Sequence, residues 1–378
     1  MRRYFLIVSV VLAVISAKLS LAGDSVVWIG MERPALGERE GIYRAELNDA
    51  TGALSAPKLA AEVGSPEFLA LRPDGKRLYA ACRLSDGKPG VVAFEISPDQ
   101  KSLQFLNSQP TGDGGACHLA TDRTGRCLFT AQYGTGTVAA FRLSSDGKIE
   151  PRSALVHHEG SGPNHDRQEG PHPHWVGTDP DNRFLFVPDL GSDRIVIYEL
   201  NLDSGTLKPH GHGSVPPGSG PRHLAFHPNG RFAYVANEIG NNVTTFKYEP
   251  KSGALEAIQT TDGLPKDLQE TSCTAAEIYI HPSGEFLYVS IRGLDAVAAY
   301  RIDPETGKLS LIEREAIRGA HPRSFDIAPS GRWLLAAGRD SNTISEFRID
   351  EKTGGLVYAD KVVNTPTPMC VEIQAAAK

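Results

Sequence analysis

The sequence predicts an all-β protein: a single seven-bladed β-propeller with four antiparallel strands per blade. Three observations carry this. Short apolar runs are separated throughout by turn formers, 38 Gly and 26 Pro among 378 residues, and long helical periodicities are missing. One hairpin pattern recurs every 51 or so residues (roughly, from Gly75 to Gly331 over five steps), a spacing suited to propeller blades. Seven outer turns accompany six complete hairpins, and the two chain ends supply the strands of the missing one.

The first 22 residues stand apart from that fold. Met1-Arg2-Arg3 precedes the apolar run Tyr4 to Ile15, and Ser20-Leu21-Ala22 is a small-x-small cleavage site, the layout of a removable secretory signal. The run is short for a membrane span, although an uncleaved anchor helix is the alternative. Arg2-Arg3-Tyr4-Phe5-Leu6 also resembles the core of a twin-arginine export signal. The expectation is a signal peptide over 1–22 and one propeller domain over 23–378, periplasmic or secreted, without stable membrane insertion after cleavage. Cleavage removes Arg2, Arg3 and Lys18, taking the net charge from −6 to −9. An acidic chain without basic runs carries no footprint for nucleic acid. Five cysteines remain, Cys82, Cys117, Cys127, Cys273 and Cys370, an odd number for an exported chain. Cys117 and Cys127 flank one turn, and the sequence leaves a bridge between them open.

The hairpins, aligned on their turns, span Pro66–Gly75, Ala116–Gly125, Pro173–Asn182, Pro221–Gly230, Ala275–Gly284 and Pro322–Gly331. Each is followed by a second apolar strand, such as Leu78-Tyr79-Ala80-Ala81. Between them an aromatic residue ends a strand and a turn follows: Tyr43 to Gly52, Phe94 to Ser102, Phe141 to Gly147, Tyr198 to Gly205, Phe246 to Gly253, Tyr300 to Gly307 and Phe347 to Gly354. Val26–Ile29 and Met369–Ile373 are left to complete the ring, which would leave few exposed edges. An open β-solenoid is the alternative, but these repeats are long for one.

In a propeller the first strand of each hairpin lines the central channel, so aligned positions converge. The second residue of the repeat reads Glu67, Cys117, His174, Arg222, Ala276 and Arg323; the third reads Phe68, His118, Trp175, His223, Glu277 and Ser324. The second strands end in Arg83, Tyr133, Leu190, Glu238, Arg292 and Arg339. Antiparallel pairing puts these three sets at one mouth, with Arg222 beside Glu238. Such charges either brace the ring or form a ligand site; cations, a carboxylate and imidazoles converging on a cavity favour a site. The longest departure from the repeat, Val156 to Trp175, holds His157, His158, His165, His172 and His174. Its spacings match no zinc or copper pattern, and no metal or other cofactor is expected.

Arg167-Gln168, Pro171-His172-Pro173-His174, Gly220-Pro221-Arg222-His223, Asn237-Glu238 and Ser290-Ile291-Arg292-Gly293 resemble the motifs of the seven-bladed propeller lactonases. That family includes the propeller-type 6-phosphogluconolactonases and the fungal carboxy-cis,cis-muconate cyclase. The resemblance covers essentially the whole mature chain. It implies a catalytic group of His174, Arg222, Glu238 and Arg292, all members of the mouth set; His172, His223, Glu67 and Arg323 are the expected substrate contacts. Ile291 departs from the Asn usual before Arg-Gly. The implied activity is hydrolysis of a sugar-acid lactone; the chemistry of that step points to Glu238 or His174 as general base, and a monomer is expected. A carboxymuconate-type cycloisomerase and a non-catalytic binding propeller are the alternatives.

Overall fold

In the computed structural model, residues 24–32, 39–265 and 272–377 are described; the expected signal peptide lies outside them. The described residues contain 28 strands and no helix, arranged as seven four-stranded antiparallel sheets. Blade 5 shows the plan. Its strands β16 (Pro221–Phe226), β17 (Phe232–Asn237), β18 (Asn242–Glu249) and β19 (Ala254–Asp262) pair strictly in chain order, from the channel outward. β17 is buried at every residue, because both its faces pack against neighbouring blades, whereas β19 is mostly exposed. This is why second strands read as unbroken apolar runs. The turn between β16 and β17 closes with Gly230 N–H donating to His227 O at 2.9 Å, and Gly230 has φ 68°, a conformation that disfavours a side chain.

The chain ends share blade 1, as the sequence predicts. β28 (Pro368–Ala375) is its innermost strand and pairs antiparallel with β1 (Ser25–Met31), from Ser25 opposite Ala375 to Met31 opposite Pro368. β2 (Gly41–Leu47) and β3 (Lys58–Glu62) complete the sheet. Trp28 is fully buried there, and its indole N–H donates to Gln374 Oε1 at 3.0 Å.

Blades are joined by a recurrent bond. A tyrosine on a second strand donates its hydroxyl to the carbonyl of the next blade's outer-turn glycine: Tyr79 to Gly147, Tyr234 to Gly307 and Tyr288 to Gly354, at 2.8 to 3.0 Å. The Trp333 indole does the same across the closure, donating to Asp49 O at 2.9 Å. The outer-turn glycines legible in the sequence are therefore docking points between blades.

One feature of the inner strands fixes the site. In a regular strand the second and third repeat residues would point to opposite faces. Here the register shifts between Gly64 and Phe68, Pro221 and His223, Ala275 and Ile278, and Pro322 and Ser324. A bulge re-aims side chains, and both Arg222 and His223 end up buried around the channel.

Candidate active site

Glu238 follows the last residue of β17 and is anchored by its own N–H, which donates to Gly220 O at 2.7 Å. Its carboxylate gathers three guanidiniums. Arg222 Nε lies 3.1 Å from Oε2, Arg292 Nη2 3.0 Å from the same oxygen, and Arg167 Nη2 donates to Oε1 at 2.7 Å. Arg222 and Arg292 are further held by backbone carbonyls, Ala276 O at 2.7 Å and Ala275 O at 3.0 Å. Arg292 also has a buried Nε–H that makes no hydrogen bond, so it keeps spare donor capacity.

The electrostatics follow from burial and charge. Burial pushes the Glu238 carboxyl up, but Arg292, Arg222 and Arg167 together outweigh it and hold the group down to about 2. Burial, reinforced by Arg323 and Arg292, lowers Arg222 to about 9, which leaves it protonated at neutral pH. His174 is buried, and desolvation with the charges of Arg222, His223 and Arg323 holds its imidazole well below the ordinary range. It is uncharged at neutral pH. His174 meets the group beside Arg222 and against Tyr133, whose ring centre is 5.6 Å away. Tyr133 in turn accepts from Arg167 Nη2 at 3.4 Å.

The four implied catalytic residues thus converge, and the expected substrate contacts divide. Glu67 lines a recess of about 320 Å³ at the mouth with Ser65, Arg83 and Cys117. Arg323 is half-buried and close enough for its charge to depress both Arg222 and His174. His172 stacks on Tyr133 at 4.3 Å, with Nδ1 on Tyr133 O at 2.9 Å and Nε2 on Glu169 at 3.1 Å, so it buttresses a wall of the site. His223 sits one layer lower, its ring 5.3 Å from that of His174. A larger cleft of about 700 Å³, between Pro73–Arg77 and Gln374–Ala377, lies at the turn end of the blades, away from this group.

The histidines of the insertion scatter to different tasks. His157 and His165 are exposed. His158 is buried on Asp189 with Nδ1 2.7 Å from Oδ2. Among the described residues, no group of three or more His, Cys, Asp or Glu side chains is placed to hold a metal ion. All five cysteines are free, Cys117 and Cys127 included. Cys117 Sγ lies 3.9 Å from His174 Nδ1, but burial pushes its thiol up to about 11, so it is not a thiolate at neutral pH.

Arg167 is the site residue that alignment of the repeats misses, because it comes from the insertion and has no counterpart in the other blades. Gln168 holds it in place, donating through Nε2 to Leu190 O and Asp193 Oδ1, each at 2.8 Å.

Comparison with known proteins agrees with this fold. A family profile described as "Lactonase, 7-bladed beta-propeller" matches residues 26–373. A Bacillus subtilis protein named 6-phosphogluconolactonase is 37% identical over 289 residues, covering 76% of this chain and 81% of the relative. The structure of a periplasmic gluconolactonase of Pseudomonas aeruginosa superposes with a TM-score of 0.87 at 28% identity, covering 93% of this chain and 99% of that one. A putative 6-phosphogluconolactonase of Bacteroides fragilis gives 0.85 at 34% identity, covering 94% and 99%. The chain belongs to the family of seven-bladed β-propeller lactonases.

Proposed function

We propose that the protein hydrolyses a sugar-acid lactone of the gluconolactone or 6-phosphogluconolactone type, with water attacking in the propeller mouth. The observation that carries this reading is the single carboxylate of Glu238 shared by three guanidiniums beside an uncharged imidazole. A carboxyl held near 2 is a poor proton acceptor at neutral pH, so Glu238 serves to position the arginines. His174, uncharged and desolvated, is the better base for the attacking water.

As the water oxygen bonds to the lactone carbonyl carbon, its proton passes to His174 and the carbonyl oxygen becomes an oxyanion. Arg222 and Arg292 donate to that oxyanion, preorganised by the carbonyls that already hold them. The ring C–O bond then breaks, the leaving oxygen recovers the proton, and the new carboxylic acid ionises. Four cations, Arg167, Arg222, Arg292 and Arg323, stand against Glu238 and Glu67 at the mouth and Glu277 below it. That surplus suits the product carboxylate and a phosphate on the substrate alike.

The relatives include proteins named for both substrate types, a 6-phosphogluconolactonase and a gluconolactonase. Export, if Ala22 is the cleavage point, favours an unphosphorylated aldonolactone. The test is proton release in a pH-stat with D-glucono-1,5-lactone and its 6-phosphate. We expect acceleration over spontaneous opening by at least about 10³-fold with one of them. Spontaneous rates with both, accompanied by tight ligand binding, would point to the binding propeller instead.

A further inference from the structure

His174 can take a proton but is poorly placed to keep one. The charged groups acting on it, Arg222 and Arg323, are cationic, and its Nδ1 neighbour is the Cys117 thiol. The layer below faces the same two cations but adds a carboxylate. His223 on β16 is 1% exposed, and its Nδ1 lies 2.6 Å from Oε1 of Glu277, on β20 (Thr274–Ile280). The same Oε1 accepts the Ile278 N–H at 3.1 Å. With Glu277 ionised, an oxygen already accepting a backbone donor is the acceptor of the short bond too, which assigns the proton to Nδ1. The other nitrogen, Nε2, is buried and has no partner. An imidazole with one nitrogen fixed on a buried carboxylate and the other bare is built to receive a proton and to be stabilised once it has it.

We infer that the His223–Glu277 pair is the proton-holding partner of this site. It takes at Nε2 the proton that His174 receives from the attacking water, keeps it as an imidazolium–carboxylate pair, and returns it by the same route to the ring oxygen as the C–O bond breaks. The inference rests on the lactonase reading, and the proton count balances because the proton borrowed is the proton returned. The two imidazole ring centres are 5.3 Å apart.

The surroundings of the pair set its balance. Facing His223 are Arg222 from its own strand, His174 from blade 4, His118 from β8 (His118–Thr121), Phe68 from β4 (Gly64–Leu71), and the charges of Arg323, Arg292 and Glu238. Around Glu277 are Arg222, Arg323, Asp326, Glu372 and Tyr279, with a chamber of about 450 Å³ running from it to the turns at Pro228 and Pro282. Burial, with Arg222 and Arg323, keeps His223 uncharged at neutral pH, while burial pushes Glu277 up to about 7. The resting pair is therefore not a fixed ion pair.

Two readouts test this. Nitrogen-15 NMR of histidine-labelled wild-type protein at pH 7 should show His223 protonated at Nδ1 with Nε2 bare; a proton on Nε2 overturns the inference whatever the variants do. In turnover, Glu277→Gln should lower kcat by at least about 10-fold with KM little changed, and should shift the pH profile of kcat. Unchanged kcat, or a loss of kcat with the wild-type pH profile, contradicts it. If Glu277→Gln does not fold, the NMR result still decides. Wild-type protein inert toward every lactone would instead defeat the functional reading, while the NMR experiment would still report on the pair.

Discussion

A buried carboxylate among three guanidiniums is the defining residue-scale feature of this protein, and it makes Glu238 an acid-sensitive element of stability. Its carboxyl is depressed in the fold, from an ordinary 4.5 to about 2, so its contribution is present above 4.5 and is lost as pH falls toward 2. The magnitude is about 3 kcal/mol. Urea unfolding between pH 6 and 2.5 should show this loss, and Glu238→Gln should flatten it. Arg167 is the most exposed of the three partners and supports Glu238 from the insertion. Arg167→Ala should lower kcat/KM by about 10- to 100-fold, as expected for a lost charge-assisted contact, and should shift the acid loss of stability to higher pH. A kcat/KM within twofold of wild type would remove Arg167 from the site.

At the scale of elements, the inner hairpins and the insertion set the site in different ways, and they were not equally legible. The hairpin repeat identified His174, Arg222, Glu238 and Arg292 as neighbours, because identical blades bring aligned positions to one mouth. It could not show which way adjacent residues point. Arg222 and His223 both face the channel only because of the register shift between Pro221 and His223, and a bulge leaves no reliable mark in sequence. The five histidines of the insertion match no metal-ligand spacing, and tertiary contacts that the sequence does not show give them separate places: His158 at Asp189, His172 at Tyr133, His174 at the mouth. Arg167 stood in a quoted motif, yet its partner Glu238 lies 71 residues away, outside the reach of local pattern. What fixes the insertion is Asp193, which accepts Gln168 Nε2 and Gly220 N at 2.8 Å through Oδ1 and Gly218 N at 2.7 Å through Oδ2. Asp193→Ala should cost about 2–3 kcal/mol through the donors left unpaired. It should also speed proteolysis between 158 and 172 and reduce kcat/KM without touching substrate; unchanged cleavage and turnover would show that the insertion is held otherwise.

At the scale of the whole molecule, closing seven blades into a ring produces one channel with two unlike ends. The mouth collects arginines, and the inner layer collects carboxyls. Glu277 and Asp326 are each pushed up to about 7 by burial, and Glu372 is raised by burial and by Asp326 and Glu277. These raised groups act with the opposite sign to Glu238. Their stabilising effect is complete below the ordinary carboxylate range and is lost as pH rises through about 7. Stability should therefore peak in mildly acidic solution, and Glu372→Gln should flatten the decline between pH 5 and 8 in thermal unfolding; an unchanged decline would show that this carboxyl is not strained. The blades contribute Arg222 and Glu238 from blade 5, Arg292 from blade 6 and His174 from blade 4, so the central claim is that the assembled mouth performs the chemistry. The most direct test is proton release from D-glucono-1,5-lactone and its 6-phosphate by wild-type protein, Glu238→Gln and Arg222→Ala, each normalised to folded protein by circular dichroism. The account predicts rapid release by wild type and a fall of at least about 10²-fold in both variants. Undiminished release by either folded variant would contradict it.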